Sequence, residues 1–183
     1  GTPIVVKFVN FIADELLPCP KNTSSEIAKW IVNTIEKIAI LKSDRVLVPR
    51  ELFKEELISR YGIQKNKVSI LSSGVDVSEF STANYNKTNP VYTVGYFGSL
   101  GVLHDIDCLF KALQLLKSKI RIKLVLSTQS DTTGLMRMID FYNLKEVVDV
   151  RNTPHHLIPM LMRTVDLIVI PRCKVSSTDL VLP

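Results

Sequence analysis

Cysteine is scarce in this 183-residue sequence, which has only Cys19, Cys108 and Cys173. The three lie far apart, and no Cys-x-x-Cys or His-x-x-x-His pattern accompanies them. Neither a disulfide framework nor a zinc site is therefore indicated. We expect a protein of a reducing compartment, and the sequence implies no metal.

Long hydrophobic runs are also missing. No apolar stretch approaches the roughly 20 residues that span a bilayer, and the opening GTPIVVKFVNF lacks a basic region followed by an apolar core. These absences indicate a cytoplasmic protein. The sequence starts at Gly1 without a Met and stops at Pro183 with no helix after its last strand, so we expect a piece of a longer chain.

No basic run stands out, although 23 Lys and Arg against 18 Asp and Glu give a net charge of +5. Basic residues are interleaved with acids, so nothing would follow a phosphate backbone and we expect no nucleic-acid partner. The excess charge has two open interpretations. It is either a set of solvated surface lysines or a general attraction for an anionic small substrate or for membrane headgroups.

Glycine and proline, at seven and nine residues, are not enriched, which argues against collagen-like, low-complexity and disordered classes. Hydrophobic residues make up 46% of the sequence, enough for a sizeable core. At roughly 150 residues per domain, the length suits one domain or one and a fraction.

Short β-branched runs alternate with stretches of 3.6-residue periodicity, the pattern of βα units on a parallel sheet. It predicts an α/β fold with a Rossmann-like parallel sheet flanked by helices. Strands are predicted at 3–9, 45–48, 68–71, 91–97, 121–127, 147–150 and 166–170. The apolar helix faces expected to rest on the sheet contain Ile31, Val32, Ile35 and Ile38 in one helix and Ile106, Leu109, Phe110, Leu113 and Leu116 in another.

Helix ends carry the expected markers. Ser24 or Ser25 is predicted to cap the first long helix. Asp105 is predicted to cap the helix that begins at Ile106. Gly62 is predicted to end the helix whose last residue is Tyr61.

A polar, Asn- and Ser-rich stretch predicts a linker at 81–90. It would separate a domain at 1–80 from a second domain at 91–183 that is truncated at its C-terminus.

The segment GYFGSLGVLHDID at 95–107 passes from a strand into a helix and is the first candidate site. Open parallel sheets bind ligands at the carboxyl ends of their strands. Gly98 and Gly101 would let the backbone approach a ligand, and free N–H groups, the Ser99 hydroxyl and His104 could bind phosphate oxygens. The alternative is an ordinary turn with His104 packed at the helix start. The loop is neither G-x-G-x-x-G nor a Walker loop.

A second candidate consists of Arg151, Asn152 and Thr153 at a strand end. Their polar groups could bind a nucleobase edge, and the alternative is an ordinary β-to-α loop. The neighbouring His155 and His156 point apart on a helix, which argues against paired metal ligation. The sequence contains no nucleophile elbow and no His-Glu-x-x-His motif.

Taken in order, these segments resemble the retaining family-4 (group 1) glycosyltransferases of the GT-B fold, in which two Rossmann-like domains face each other across a cleft. SSGVDVSEF at 72–80 resembles the family's Pro-Asn-Gly-Val-Asp turn before a Phe, with Ser72 and Ser73 in place of Pro and Asn. That turn ends the family's N-terminal, acceptor-side domain.

VGYFGSLGVLHDIDCLFKAL resembles the opening of the family's donor-binding domain. Gly98 matches the family pattern, whereas Ser99 stands in place of an Arg, and His104 with Asp105 in place of Lys-Gly. VVDVRNTPHHLIPMLMRTVDLIVIPR resembles the strand and base-contacting loop that follow, and SSTDLVLP the approach to a motif of paired glutamates.

The resemblance implies a role for each candidate residue. Donor binding would involve Gly98, Ser99 and His104 near the diphosphate, Arg151, Asn152 and Thr153 near the base, and Asp179 near the sugar. Asn10 would face the cleft from the acceptor side.

The implied activity is that of a hexosyltransferase, which moves a sugar from a nucleoside-diphosphate sugar to a glycan or lipid-linked acceptor with retention. No further cofactor, metal or covalent nucleophile is implied. A lipid-linked acceptor would bring the protein into peripheral contact with the inner membrane surface. The second glutamate of the pair would fall about four residues beyond Pro183, so we expect this chain to be an inactive fragment.

Two other interpretations stay open. One is a non-enzymatic α/β binding or regulatory module. The other is a GT-B nucleotide-sugar epimerase or phosphorylase.

Overall fold

The structure, a computed structural model, describes residues 1–16, 23–80, 90–101 and 103–173. The described chain divides into two compact units, Gly1–Val75 and Asp76–Cys173. Of the predicted linker at 81–90, only Pro90 lies within the described residues, so its role stays a prediction.

The first unit contains a parallel sheet with the strand order β1-β2-β3. Its elements are β1 (Val5–Lys7), α1 (Ile12–Leu16), α2 (Thr23–Lys42), β2 (Arg45–Val48), α3 (Glu51–Tyr61), a 3₁₀ turn (Lys65–Lys67) and β3 (Val68–Ile70). Its core consists of Phe8, Phe11, Ile40, Val46, Val48, Phe53, Leu57, Tyr61, Ile63 and Val68.

The second unit contains a parallel sheet with the strand order β6-β5-β4-β7. Its elements are β4 (Tyr92–Phe97), α4 (Ile106–Leu116), β5 (Ile122–Ser127), α5 (Thr133–Phe141), β6 (Val148–Arg151), a 3₁₀ turn (His155–Leu157), α6 (Ile158–Met162) and β7 (Leu167–Ile168). All of the predicted strands are present, the first and last being shorter than predicted.

The strand order of the second sheet indicates where a ligand is expected to bind. From β4 the chain moves outward through β5 to β6 and then returns to β7 on the other side of β4. In open parallel sheets, ligands bind beyond the carboxyl ends of the strands where the order reverses. The loop after β4 and the segment after β7 therefore frame the expected crevice.

Two of the predicted helix ends are confirmed. Gly62 adopts the left-handed conformation (φ 66°), and its N–H donates to the Ile58 carbonyl at 2.9 Å. Asp105 caps α4, since its carboxylate accepts the Cys108 N–H at 2.9 Å. The prediction that Ser24 or Ser25 caps α2 was wrong, because the helix already begins at Thr23 and includes both serines.

The predicted orientation of α4 is confirmed except at Leu116, which is exposed, and that of α2 is wrong. Ile106, Phe110 and Leu113 of α4 are buried in the core. In α2, however, Ile35 is 61% exposed, Ile31 and Ile38 are exposed as well, and Val32 is half-buried. The opposite face is buried because the carboxylate of Glu36, only 6% exposed, is held there by hydrogen bonds.

Among the described residues there is no helix with the length and apolar character needed to cross a lipid bilayer.

Candidate functional site

A cavity of about 530 Å³ lies at the carboxyl ends of β4, β5 and β6. One short segment after each strand contributes to its wall, and α6 closes one side. Its lining consists of Phe80, Phe97, Gly98, Ser99, Ser127, Thr128, Gln129, Ser130, Thr153, His155, Ile158 and Met162. The cavity therefore occupies the position at which parallel α/β sheets bind ligands.

Hydroxyl groups link the three segments of this wall. The Ser127 Oγ accepts the Thr153 N–H at 3.3 Å, and the Ser130 Oγ accepts the Leu100 N–H at 3.0 Å. The Thr128 Oγ1 accepts the Ser130 N–H at 3.1 Å. Ser127 and Thr128 are buried, so the bonds position the wall before any ligand arrives.

Sequence reasoning missed the segment 127–130. A polar run directly after an apolar strand was the available signal, since Ser127 to Ser130 follow the buried residues of β5.

Phe97 forms an apolar part of the wall and depends on Gly95 for its position. A Cβ at Gly95 would lie 2.6 Å from the Phe97 ring and 3.0 Å from Val165. The ring therefore lies over the strand where only a hydrogen is present. It packs against the cluster of Val125, Leu161 and Val165.

Of the four backbone N–H groups in the loop after β4, two are engaged within the protein and two remain free. The Gly98 N–H donates to the Ser127 carbonyl at 3.1 Å, and the Leu100 N–H is bound by Ser130. Within the described part of the chain, the N–H groups of Ser99 and Gly101 have no acceptor. These two amides and the Ser99 hydroxyl are the groups that remain for an incoming oxygen.

Neither glycine of this loop is required by the fold. Gly98 and Gly101 both lack a positive φ. A Cβ would lie 3.5 Å from the Tyr96 hydroxyl at the first and 3.8 Å from His104 Nδ1 at the second, which are ordinary contacts. Turn geometry therefore does not explain these glycines.

His104 and Arg172 lie together at the point where the strand order reverses. The two residues form an isolated antiparallel bridge, and the Asp105 N–H donates to the Pro171 carbonyl at 3.2 Å. His104 Nδ1 and Arg172 Nε are buried and lack a hydrogen-bond partner in the described ranges. Sequence reasoning missed Arg172, although it directly follows Pro171 at the end of a predicted strand.

The surroundings of His104 favour its neutral form. Burial lowers the pKa of His104 below its usual value of 6.5, and the positive charge of Arg172 lowers it further. These two effects outweigh the backbone hydrogen bond at Ser99, which acts in the opposite direction. His104 lines a separate cavity of about 350 Å³ rather than the one described above.

The other predicted site residues are dispersed. Thr153 lines the cavity, but Arg151 and Asn152 are exposed and are not part of its lining. The guanidinium of Arg151 donates to Asp149 at 2.6 and 2.9 Å. Asn10 lies in the first unit, shortly after β1, while Asp179 lies outside the described residues.

No group of three or more His, Cys, Asp and Glu side chains is placed to hold a metal ion in the described parts of the chain.

Comparison with solved structures shows the same fold at low sequence identity. The glycosyltransferase WaaG, involved in lipopolysaccharide biosynthesis, has a TM-score of 0.76 and 15% identity over 93% of this chain and 51% of its own. HepE of Anabaena, solved with UDP and glucose, has a TM-score of 0.72 and 17% identity over 93% and 46%. TarM of S. aureus, solved with UDP, has a TM-score of 0.63 and 18% identity over 75% and 27%.

The chain thus spans about half the length of the first two proteins and less of the third. No protein-family model matches the sequence, and no curated protein does. The predicted fold class, an α/β fold with Rossmann-like parallel sheets as in GT-B glycosyltransferases, is confirmed by the two sheets and by these likenesses.

Proposed function

We propose that this chain belongs to a glycosyltransferase and that its second unit binds the nucleoside-diphosphate sugar. The parent protein would transfer the sugar to a glycan or lipid-linked acceptor with retention of configuration. The proposal rests mainly on one observation, the hydroxyl-lined cavity at the carboxyl ends of β4, β5 and β6. UDP or UDP-glucose in the solved structures of HepE supports the same class of ligand.

The groups of the cavity suit the departure of a diphosphate. At the cavity wall, the free N–H and the hydroxyl of Ser99 can donate hydrogen bonds to phosphate oxygens, and the free Gly101 N–H lies further along the same loop, outside the lining. Since the donors are held in place before the ligand binds, they need no rearrangement as negative charge develops on the leaving group. Thr153 and Gln129 would lie beside the base and ribose.

Charge neutralisation requires a cation that the cavity wall lacks. His104 is neutral near pH 7, because burial and Arg172 both lower its pKa. Among the described residues, no carboxylate forms an ion pair with the guanidinium of Arg172. We assign to Arg172 the electrostatic role that an Arg at position 99 would otherwise have.

The remaining assignments belong to the same proposal. Asp179 would contact the sugar, Asn10 would face the acceptor, and Arg151 and Asn152 would approach the base. Residues 91–183 would form the donor-binding domain, after a linker at 81–90 and the acceptor-side segment 1–80. Since the chain spans about half of its structural neighbours, we expect no turnover by the 183 residues alone.

Calorimetric titration of the chain with UDP, GDP, ADP and uridine tests donor binding. We expect one nucleoside diphosphate to bind, and Ser99→Ala to weaken it by about tenfold through loss of a hydrogen bond to a charged group. Ser118→Ala is the matched control, because Ser118 is an exposed serine at the opposite end of the unit.

Other outcomes would contradict parts of the proposal. Absence of any nucleotide binding would favour the non-enzymatic module. Transfer of radiolabelled sugar by the chain would disprove its inactivity. If the parent protein converts the donor without an acceptor, as product NMR would reveal, the protein is an epimerase rather than a transferase.

A further inference from the structure

The outward face of α2 has a regular apolar pattern. Ile27, Ile31, Ile38 and Leu41 are all exposed, and together with Thr34 they recur at alternating intervals of four and three residues. This alternation is the spacing of the a and d positions of a heptad repeat, by which two helices pack side by side. The outward face therefore has the pattern of a surface that packs against another helix.

The opposite face of α2 is anchored within the first unit. Glu36 and Ile40 are buried there, and Lys29 pairs with Asp14 at 3.1 Å. The helix is thus held with its heptad positions outward, so that a partner would not have to order it first. We call the outward surface the α2 seam, which consists of Ile27, Trp30, Ile31, Thr34, Ile35, Ile38 and Leu41.

The polar residue at a heptad position of the α2 seam does not oppose burial. The Thr34 hydroxyl donates to the Trp30 carbonyl of the same helix at 2.8 Å. Since this donor is already satisfied, a partner that covers Thr34 would leave no hydroxyl proton without an acceptor. The other heptad positions from Ile27 to Leu41 are apolar.

We propose that a second copy of this chain docks on the α2 seam, with the two helices antiparallel about a twofold axis at the midpoint of Thr23–Lys42. In antiparallel pairs, each a position packs against a d position of the other helix. In this register Ile27 packs against the partner's Ile38, and Ile31 against the partner's Thr34. The α2 seam is therefore complementary to itself, as a twofold interface requires.

Charge favours the antiparallel orientation. Lys37 is exposed beside the α2 seam and forms no ion pair with any residue that the structure describes. In the antiparallel pair it lies opposite the partner's Trp30, whose ring attracts a cation. In a parallel pair with the same seam it would lie opposite the partner's Lys42, and the two positive charges would repel each other.

Sedimentation velocity of the 183-residue chain over roughly 1 to 200 µM tests the proposal. We expect a reversible equilibrium of monomer and dimer with a dissociation constant in the micromolar range, because a single pair of helices makes a small interface. Ile31→Glu places a charge in the middle of the α2 seam and should weaken the dimer by at least about 100-fold. The test involves no nucleotide and does not depend on the proposed enzyme function.

Leu52→Glu is the matched control, because Leu52 is an exposed leucine of α3 outside the α2 seam. It introduces the same charge and should leave the dimer unchanged. Circular dichroism of each variant verifies that it is folded. Equal weakening by Ile31→Glu and Leu52→Glu would overturn the proposal, as would a dimer that Ile31→Glu leaves intact.

Lys37→Gln tests the orientation of the two helices. It should weaken the antiparallel dimer by about tenfold, since each of the two symmetric contacts with Trp30 contributes about threefold. A parallel dimer would become stronger instead, because the repulsion between Lys37 and Lys42 is removed, and that result would overturn the proposal. A chain that stays monomeric throughout would also overturn it and leave the α2 seam to a different occupant, such as another segment of a longer parent protein.

Discussion

Residues 98–101 show most directly how single side chains shape the proposed site. The loop has glycines at two positions where the backbone conformation and the surrounding space would accept a Cβ, and its free N–H groups lie at or next to those glycines. A Cβ at Gly101 would meet only His104 and Ser99 at about van der Waals distance. The missing side chains have two explanations, access of the proposed ligand to the backbone and a requirement of the fold, and the distances at Cβ do not support the second.

Substitution of Gly101 by Ala separates these two explanations. We expect a melting temperature equal to or slightly above that of the unchanged chain, since Ala reduces the entropy of the unfolded state. UDP affinity should fall by about tenfold, because a methyl group would stand beside the free N–H. Thermal melts and calorimetry measure both quantities. Gly134→Ala, which also has open space at its Cβ, is the control and should leave UDP affinity unchanged.

The role proposed for Arg172 predicts a selective loss. Arg172→Ala should weaken UDP binding by about tenfold or more, the effect of one hydrogen bond to a charged group, and leave uridine binding unchanged. Arg137→Ala should change neither affinity, since Arg137 is exposed on α5 and is not part of the cavity lining. If UDP binds equally well to Arg172→Ala, the charge assignment fails while the donor site stands.

The lowered pKa of His104 predicts that the folded chain loses stability at acidic pH. Its folded pKa lies below 6.5, so the unfolded chain takes up a proton that the folded chain resists. Stability should therefore decrease as the pH falls through 6.5 towards the folded pKa. Melting curves between pH 7.5 and about 5 measure this decrease, which His104→Asn should reduce. His156→Asn, at an exposed position, should keep it; equal curves for the two variants would show that another group is responsible.

At the scale of elements, α2 shows how a buried acid can set the orientation of a helix. Glu36 Oε1 accepts the Ile12 N–H at 2.7 Å, and Oε2 accepts the Tyr61 hydroxyl at 2.9 Å. On the same face Lys29 pairs with Asp14 at 3.1 Å. These contacts join α2 to α1 and α3 and leave its apolar stripe outward.

Glu36→Ala should strongly destabilise the first unit. The Ile12 N–H and the Tyr61 hydroxyl would lose their acceptor inside the protein, at a cost of about 2–4 kcal/mol in the free energy of unfolding. Urea denaturation measures this cost. Glu55→Ala on the exposed face of α3 should change stability by less than about 0.5 kcal/mol. A similar small effect for Glu36→Ala would mean that water satisfies both groups.

The same helix explains what the sequence could and could not predict. Strands and α4 were predictable because burial there follows hydrophobic periodicity, as with Ile106, Phe110 and Leu113. In α2 the periodicity was present, but the partners of Glu36 come from α1 and α3, 24 and 25 residues away in sequence. Local pattern contains no information on such pairs.

Sequence reasoning recovered the site only in part, for a similar reason. Gly98, Ser99 and Thr153 follow strands, and topology alone places them at one end of the sheet. The pairing of Arg172 with His104 depends on β7 lying beside β4, an order reversal that no local motif encodes.

At the scale of the whole molecule, ligand contacts should be confined to the second unit. Every residue that lines the proposed donor cavity belongs to Asp76–Cys173. We therefore expect UDP to slow amide hydrogen exchange at 97–101 and 127–130 and to leave β1, β2 and β3 unchanged. Hydrogen-exchange mass spectrometry measures this difference. Protection in the first sheet alone would place the nucleotide elsewhere.

The outward face of α2 has an optical consequence. Trp30, the single tryptophan of the sequence, lies on that face and is 68% exposed. Its fluorescence arises entirely from the first unit, whereas the tyrosines Tyr92, Tyr96 and Tyr142 belong to the second. Excitation selective for tryptophan therefore follows the melting of one half of the chain. Tyrosine absorbance, which Tyr96 and Tyr142 contribute from buried positions, reports on the other half as well.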